Sequence, residues 1–201
     1  MQDNSVRDAE VIVIGGGPIG LAMALELGQQ GIRTVLAERE VPQDGIRAKA
    51  GSVSFRSVEY CRRWGVQQEL YDCGFPEDYP LDTVFCTDLT GHGLARHEAA
   101  SMADFKGVDV SPVRKQRCPQ MWFDPILQRA AESLPNVDLH FGCSVMDLEN
   151  SDSGVVVNVQ KNDGVKETWR ARYAVLCEGA GGRFRPQLSV KMVGRDLINY
   201  T

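Results

Sequence analysis

Three glycines after a short apolar run constrain this chain more than any other feature. The run Val11–Ile14 is continuously β-branched and apolar, which is typical of a strand buried on both faces of a sheet. Gly15, Gly17 and Gly20 follow at the spacing G-x-G-x-x-G, and Pro18 suits the first turn of a helix. The pattern therefore predicts a strand, a tight turn and a helix in direct succession.

Each of these glycines has a physical role in dinucleotide binding. Gly15 permits the tight turn, Gly17 lets a pyrophosphate approach the backbone, and Gly20 lets the helix pack close to the strand. The helix N-terminus presents unpaired N–H groups to the phosphates. Glu38 ends the next apolar stretch, 18 residues past Gly20, near the roughly 20 residues expected for a carboxylate that binds a ribose. The acid favours FAD or NAD over NADP, and the spacing leaves FAD and NAD open.

Composition excludes several other classes of function. The net charge of −5 argues against a nucleic-acid partner, because phosphate backbones are bound by clustered Lys and Arg. Six cysteines without a C-x-x-C pair, beside only three histidines, predict no metal site. The polar N-terminus is unlike a signal peptide, and the run from Val11 to Leu27 is interrupted by glycines, a proline and Glu26. We therefore expect a cytoplasmic protein with reduced thiols and no membrane span.

Later segments change from helical to strand-like patterns. A helix is expected around Phe55–Arg63, and strand-like residues around the sequence T-G-H-G at Thr90 predict a hairpin. Asp124 followed by Pro125 suggests a helix cap and first turn, unless the helix begins earlier. Consecutive strands follow from Val137.

Four segments, taken in order, resemble single-component FAD-dependent aromatic monooxygenases, the group that includes phenol-type and para-hydroxybenzoate-type hydroxylases. The resemblance covers nearly the whole chain, as the N-terminal part of such a protein. It implies an α/β fold: a Rossmann-like FAD-binding domain of the GR2 flavoprotein type with a β-meander, plus the beginning of a β-rich substrate domain. The segments are GGGPIGLAMALELGQQGIRTVLAERE, RAKAGSVSFRSVEYCRRWGV, RCPQMWFDPILQRAA and RYAVLCEGAGGRFR.

The resemblance also implies roles for individual residues. The glycine turn and Glu38 would hold the ADP half of FAD, Arg47 would contact the flavin side, and Gln120 would contact the cofactor. No catalytic residue is assigned, although His92, His97 and Asp88 lie in the predicted hairpin. The predicted cofactor-binding set is Gly15, Gly17, Pro18, Ile19, Gly20, Glu38, Arg39, Arg47, Gln120, Glu178 and Gly179.

The last segment resembles the Asp-Gly motif of that group, a loop placed against the FAD pyrophosphate. The group has aspartate at position 178 and usually serine at 182, whereas this chain has Glu178 and Gly182. Gly179 and Arg185 fit the pattern. We interpret the segment as a second wall of the nucleotide site, brought to the first glycine cluster by a strand from Tyr173 to Cys177.

The implied activity is hydroxylation of a phenolic or aromatic substrate with O2 and with NADPH or NADH as co-substrate. Two alternatives stay open: a non-catalytic module that binds FAD or ADP, and an NAD-dependent Rossmann oxidoreductase. We expect the chain to act as a homodimer or with a C-terminal half that it lacks. The expected domains are 1–80 (FAD-binding βαβ part), 81–113 (substrate-domain hairpin insertion), 114–186 (FAD-binding domain continued) and 187–201 (start of a truncated substrate domain).

Overall fold

The computed structural model describes residues 6–42, 49–105, 110–191 and 193–194. The chain divides into two compact units, the first formed by Met1–Gln43 and Ala131–Thr201 and the second by Asp44–Ala130. The helices and strands of the described ranges are β1 (Val6–Ile14), α1 (Pro18–Gln29), β2 (Thr34–Glu38), β3 (Ser52–Val53), α2 (Phe55–Arg63), α3 (Gln67–Tyr71), β4 (Thr83–Cys86), β5 (Gly93–His97), β6 (Gln116–Arg117), α4 (Gln120–Glu132), β7 (Val137–Phe141), β8 (Cys143–Ser151), β9 (Gly154–Lys161) and β10 (Lys166–Leu176).

The first unit is built on one six-stranded sheet with the strand order β7-β2-β1-β10-β9-β8. The four strands β7, β2, β1 and β10 are parallel, while β10, β9 and β8 form an antiparallel meander. The predicted α/β fold, with a strand–turn–helix–strand start and a later meander, is confirmed. β1 is longer than predicted, because residues from Val6 onward pair with the first half of β10.

Burial explains why the two halves of this sheet have different sequence patterns. β1 and β2 are apolar where they are buried, apart from Thr34, and Ile12 and Leu36 are fully inaccessible to solvent. In β9 the buried residues alternate instead, and Val157 and Val159 face the same core as the fully buried Trp169 of β10. The buried stretches of β1 and β2 are therefore covered on both faces, and β9 on one.

One buried carboxylate in the meander has its charge compensated. Glu167 is only 6% exposed, and it accepts a 2.8 Å hydrogen bond from the indole Nε1 of Trp169. Its other oxygen pairs with the ammonium group of Lys161. Since an unpaired buried charge would be strongly destabilising, these partners are what permit an acid at this position.

The second unit contains α2, α3, α4 up to Ala130 and two small antiparallel pairs, β3–β6 and β4–β5. Its core is formed largely by side chains from the helices, among them Val58, Cys61, Leu70 and Ile126. The expected hairpin is confirmed as β4–β5, and every residue of its two strands is exposed. None of the helices in the described ranges has the length and apolar character needed to cross a bilayer.

The start of α4 corrects one prediction. Asp124 is not the helix cap, since α4 already begins at Gln120 and contains Pro125. The amides of Trp122 and Phe123 donate to the carbonyl of Pro119, so the first turn is complete before the internal proline is reached. Asp124 instead accepts a 2.9 Å hydrogen bond from the side chain of Gln120. The alternative of an earlier helix start is the correct one.

Replacing Gly20 with alanine should destabilise the first unit. A β-carbon at Gly20 would overlap the backbone carbonyl of Gly15, with its carbon only 2.9 Å away, so α1 would have to move from β1. We expect the free energy of unfolding to fall by about 1–3 kcal/mol, measured by urea denaturation. The matched control is Gly17→Ala, where a β-carbon meets nothing within 4 Å. Equal stability of the two variants would contradict the packing argument.

The second unit should lose stability in alkali through Cys61. Burial raises the pKa of this thiol from 9.0 to about 11. The unfolded chain therefore releases the proton first, so stability is retained below pH 9 and is lost as the pH rises towards 11. Between neutrality and about pH 10.5, the titration of Cys61 should lower the free energy of unfolding by about 2 kcal/mol.

Urea denaturation at both pH values tests this expectation. Cys61→Ala should show a smaller loss in alkali than the parent protein. The exposed Cys86 provides the control, because Cys86→Ala should leave the pH dependence unchanged. An identical loss in all three proteins would mean that other groups cause it.

Candidate functional site

The turn between β1 and α1 is fixed by its neighbours in the sheet. Gly15 has a φ of 109°, a left-handed conformation that glycine adopts without strain. Its amide donates a 2.9 Å hydrogen bond to the carbonyl of Ala37 in β2. A β-carbon at this position would overlap the carbonyl of Cys177, whose carbon atom lies 2.7 Å away. Both the backbone angle and the close approach therefore require glycine.

The N-terminus of α1 opens onto free space. Gly17 is its N-cap, Pro18 is the first helical residue, and no side chain caps the helix within the described ranges. A β-carbon at Gly17 would meet nothing within 4 Å, and Ile19 is 69% exposed. Because the first N–H groups of a helix lack partners within it, this end is suited to a phosphate.

Glu38 lies against the same turn and closes it. One carboxylate oxygen accepts a 2.5 Å hydrogen bond from the amide of Gly16, and the other accepts a 2.8 Å bond from the amide of Glu40. The residue sits at the end of β2, as the spacing predicts. The neighbouring Arg39 is exposed, and its guanidinium nitrogen lies 3.8 Å from a carboxylate oxygen of Glu40. Such a surface ion pair contributes little to stability.

Gly16 is a member of the site that the sequence argument missed. A β-carbon there would stand 2.6 Å from the β-carbon of Glu38 and 2.9 Å from its γ-carbon. Any side chain at this position would therefore displace the acid. The signal was present in the three consecutive glycines, Gly15 to Gly17, of which the G-x-G-x-x-G spacing uses only two.

The end of β10 brings the second glycine cluster to the first. The amide of Cys177 donates a 2.7 Å hydrogen bond to the carbonyl of Ile14, so the pairing of β1 and β10 continues to the turn itself. Beyond it, Gly179 has a φ of 78°, and the amide of Phe184 donates a 3.2 Å bond to the carboxylate of Glu178. The loop 178–184 therefore leaves the sheet directly beside Gly15.

Cys177 was also missed as a site residue. It contacts Gly15 through backbone atoms, which any residue type would provide, so the sequence carried no signal for it. Burial raises the pKa of its thiol, so the sulfur stays protonated and uncharged at neutral pH.

Two predicted residues are not tested by the structure of the first unit. Arg47 lies outside the described residues. Gln120 belongs to the second unit, where it is 8% exposed and its backbone amide donates to the carbonyl of Ala50. Its side chain bonds to Asp124 within α4. Both assignments stay predictions.

The first unit thus combines the uncapped N-terminus of α1 with the carboxylate of Glu38. This carboxylate bonds to the amide of Gly16, which lies 22 residues earlier in the chain. The N–H groups suit a pyrophosphate, and the acid suits the hydroxyl groups of a ribose. The residues present therefore fit the ADP portion of a dinucleotide.

Comparison with known proteins agrees with this geometry. The chain is 28% identical over 204 residues to the 3-(3-hydroxy-phenyl)propionate/3-hydroxycinnamic acid hydroxylase of Comamonas testosteroni, covering 97% of this chain and 31% of that protein. It is 24% identical over 194 residues to the phenol 2-monooxygenase of a Pseudomonas species, covering 94% and 32%. The chain spans about a third of the length of the curated relatives that it matches.

Solved structures with the same fold include two flavoenzymes. The rebeccamycin biosynthetic enzyme RebC with reduced flavin matches with a TM-score of 0.83 and 28% identity, over 92% of this chain and 35% of that one. The flavin-dependent monooxygenase PieE in complex with FAD and substrate matches with a TM-score of 0.81 and 25% identity, over 94% and 33%. Residues 8–200 match the family described as FAD binding domain. This range includes the glycine turn, Glu38 and the 178–184 loop. The chain therefore belongs to this family.

Proposed function

We propose that this chain holds FAD in a flavin-dependent monooxygenase that hydroxylates a phenolic or aromatic substrate with NAD(P)H and O2. The observation that carries the proposal is the uncapped N-terminus of α1 beside Glu38. Membership of the FAD binding domain family decides between FAD and NAD as the resident dinucleotide. The substrate class comes from the names of the relatives, a phenol 2-monooxygenase and a hydroxycinnamic acid hydroxylase.

The glycine turn would bind the pyrophosphate of FAD. Gly17, Pro18 and Ile19 surround the open end of α1, so phosphate oxygens can accept from its free N–H groups. The dipole of the helix adds about 0.3–1 kcal/mol of attraction for negative charge. Gly15 and Gly20 contribute indirectly, because they allow β10 and α1 to approach the turn closely.

Glu38 would bind the ribose. Its two oxygens already accept from Gly16 and Glu40, and an ionised carboxylate has about four acceptor sites, so two are left for ribose hydroxyl groups. The bonds to the backbone hold the side chain in one place, and the ligand meets a carboxylate that needs no reorganisation. Arg39 stands beside it on the surface.

FAD, when bound, supplies the redox chemistry by accepting a hydride from NAD(P)H and activating O2. The chain's own residues bind and orient it. By resemblance, Arg47 would contact the flavin side and Gln120 would contact the cofactor. Gly179 would present backbone atoms of the 178–184 loop to the pyrophosphate. No catalytic base is proposed; His92 and His97 of the β4–β5 hairpin are both exposed.

A second function, binding of FAD or ADP without turnover, is favoured by one observation. Position 178 carries glutamate and position 182 glycine, where the resemblance leads us to expect aspartate and serine. The resemblance implies that this loop takes part in the use of NAD(P)H, so the two substitutions would impair the reduction of FAD by NAD(P)H.

For location we propose the cytoplasm, which is supported by six cysteines that are all free thiols.

Gly17→Ala should weaken FAD binding without affecting the fold. The new methyl group projects into the open space where the pyrophosphate would lie, so it removes no contact of the protein itself. We expect the FAD dissociation constant to rise about tenfold, measured by quenching of flavin fluorescence. The free energy of unfolding should stay within about 0.5 kcal/mol of the parent. Unchanged affinity would contradict the placement of the phosphates.

Turnover separates the two candidate functions. Protein produced from the intact gene should oxidise NAD(P)H faster when a phenol is added, and the phenol should gain one oxygen atom from O2. Mass spectrometry with ¹⁸O2 measures this incorporation. A protein that binds FAD yet leaves NAD(P)H and phenol unchanged would support the non-catalytic alternative.

A further inference from the structure

We propose that Glu178 is a positioning residue for the FAD site, and that its carboxylate and the bare α-carbon of Gly182 act as a coupled pair. Together they would set the shape of the 178–184 loop beside the glycine turn. The inference rests on the proposed FAD site. It assigns to Glu178 an indirect role, through the loop, in place of contact with the cofactor.

The first observation is that the carboxylate of Glu178 closes its own loop. It accepts the 3.2 Å hydrogen bond from the amide of Phe184, six residues further along the chain. Phe184 is only 2% exposed and packs with Ile12 and Ile14 of β1. Its amide is therefore held by the core, and the glutamate ties the start of the loop to that fixed point.

The second observation is that Gly182 leaves room for this carboxylate. A β-carbon at Gly182 would lie 3.1 Å from the carboxylate oxygen of Glu178 and 3.2 Å from its β-carbon. These distances are shorter than ordinary van der Waals contact, so a side chain at 182 would press on the acid as it reaches Phe184. Gly182 does not have a positive φ, so it is space and not backbone conformation that favours glycine here.

Neighbouring Gly181 shows that the constraint is local. A β-carbon there would meet nothing within 4 Å, and its φ is not positive either. The two adjacent glycines therefore differ in the space that a side chain would fill: at Gly182 it is bounded by Glu178 and the carbonyl of Gly179, and at Gly181 it is open. Gly181 is accordingly a matched control for Gly182.

The loop can act on the nucleotide turn because the two are in contact. The backbone of Cys177 packs against Gly15, and the amide nitrogen of Glu178 would lie 3.2 Å from a β-carbon at Gly15. A change in the path of the chain after Cys177 therefore moves the wall against which the phosphate-binding turn is built. Such a change would alter FAD affinity even though no ligand atom is removed.

The same geometry explains why the two departures from the aromatic monooxygenase pattern occur together. An aspartate at 178 would end one bond earlier, which withdraws its oxygens from the space beside 182 and relieves the 3.1 Å contact. The contacts of a β-carbon at 182 with the β-carbon of residue 178, at 3.2 Å, and with the carbonyl oxygen of Gly179, at 3.3 Å, would remain. The longer glutamate fills that space and bonds to Phe184, so it favours glycine at 182. Each change alone is therefore unfavourable, and the two together are less unfavourable than the sum of their separate effects.

A double-mutant cycle tests the coupling: Glu178→Asp, Gly182→Ser, the double variant, and Gly181→Ser as control. The first readout is hydrogen exchange of the Phe184 amide without ligand, measured by NMR. The second is the FAD dissociation constant. We expect each single change to accelerate exchange and weaken FAD binding by about tenfold, the size of a lost bond to a charged group. Additive effects would give about a hundredfold change in the double variant, whereas coupling should keep it near about tenfold, and Gly181→Ser should match the parent.

The two readouts separate failure of this inference from failure of the proposed function. Additive effects of the two single changes on Phe184 exchange would overturn the coupling, whether or not FAD binds. If the parent protein binds FAD and the effects on Phe184 exchange are coupled, but all variants bind FAD with equal affinity, the positioning role would be overturned. If the parent bound no FAD, the proposed function would fail, and the positioning role with it.

Discussion

The close contact between Gly15 and the backbone of Cys177 is the constraint on which the rest of the site depends. Gly15 directly follows β1, donates to Ala37 near the end of β2, and packs on Cys177, which directly follows β10. Three parallel strands thus finish at one point, where a side chain at position 15 would hold them apart. Since ligands bind at the carboxyl ends of parallel strands, this meeting point also determines where a nucleotide can lie.

Around that point the four glycines of the turn are required for four different reasons. Gly15 needs its backbone angle and its contact with β10. Gly16 makes room for the side chain of Glu38, Gly17 keeps open the space before α1, and Gly20 lets the helix approach the strand. Only the requirement at Gly17 concerns a ligand directly. A single sequence motif therefore combines one binding role with three packing roles.

The sequence predicts those parts of the structure that are governed by local chemistry. Apolar β-branched runs, a proline at a helix start and an acid at the end of the next strand are local, and they placed β1, α1 and Glu38 correctly. The return of β10 to the first glycine cluster followed from family resemblance, and the strand pairing confirms it. The FAD binding domain family, which the resemblance pointed to, is confirmed over residues 8–200.

The parts that the sequence did not predict depend on distant partners. The polar start of β1 is a strand because it pairs with β10. α4 begins before Asp124 because the amides of Trp122 and Phe123 donate to the carbonyl of Pro119. The bond from Phe184 to Glu178 depends on how the loop folds back. No periodicity or composition records contacts of this kind.

β10 has a further consequence for how proteins of this shape can diverge. One uninterrupted strand carries Trp169 into the core of the meander and Cys177 to the nucleotide turn. Inserting or deleting one residue between them would turn every later side chain to the opposite face of the sheet. The number of residues from Trp169 to Cys177 is therefore fixed by geometry, whatever their identity. Changes in chain length are accommodated more readily in turns such as Asn162 to Gly164, which lie outside this stretch of β10.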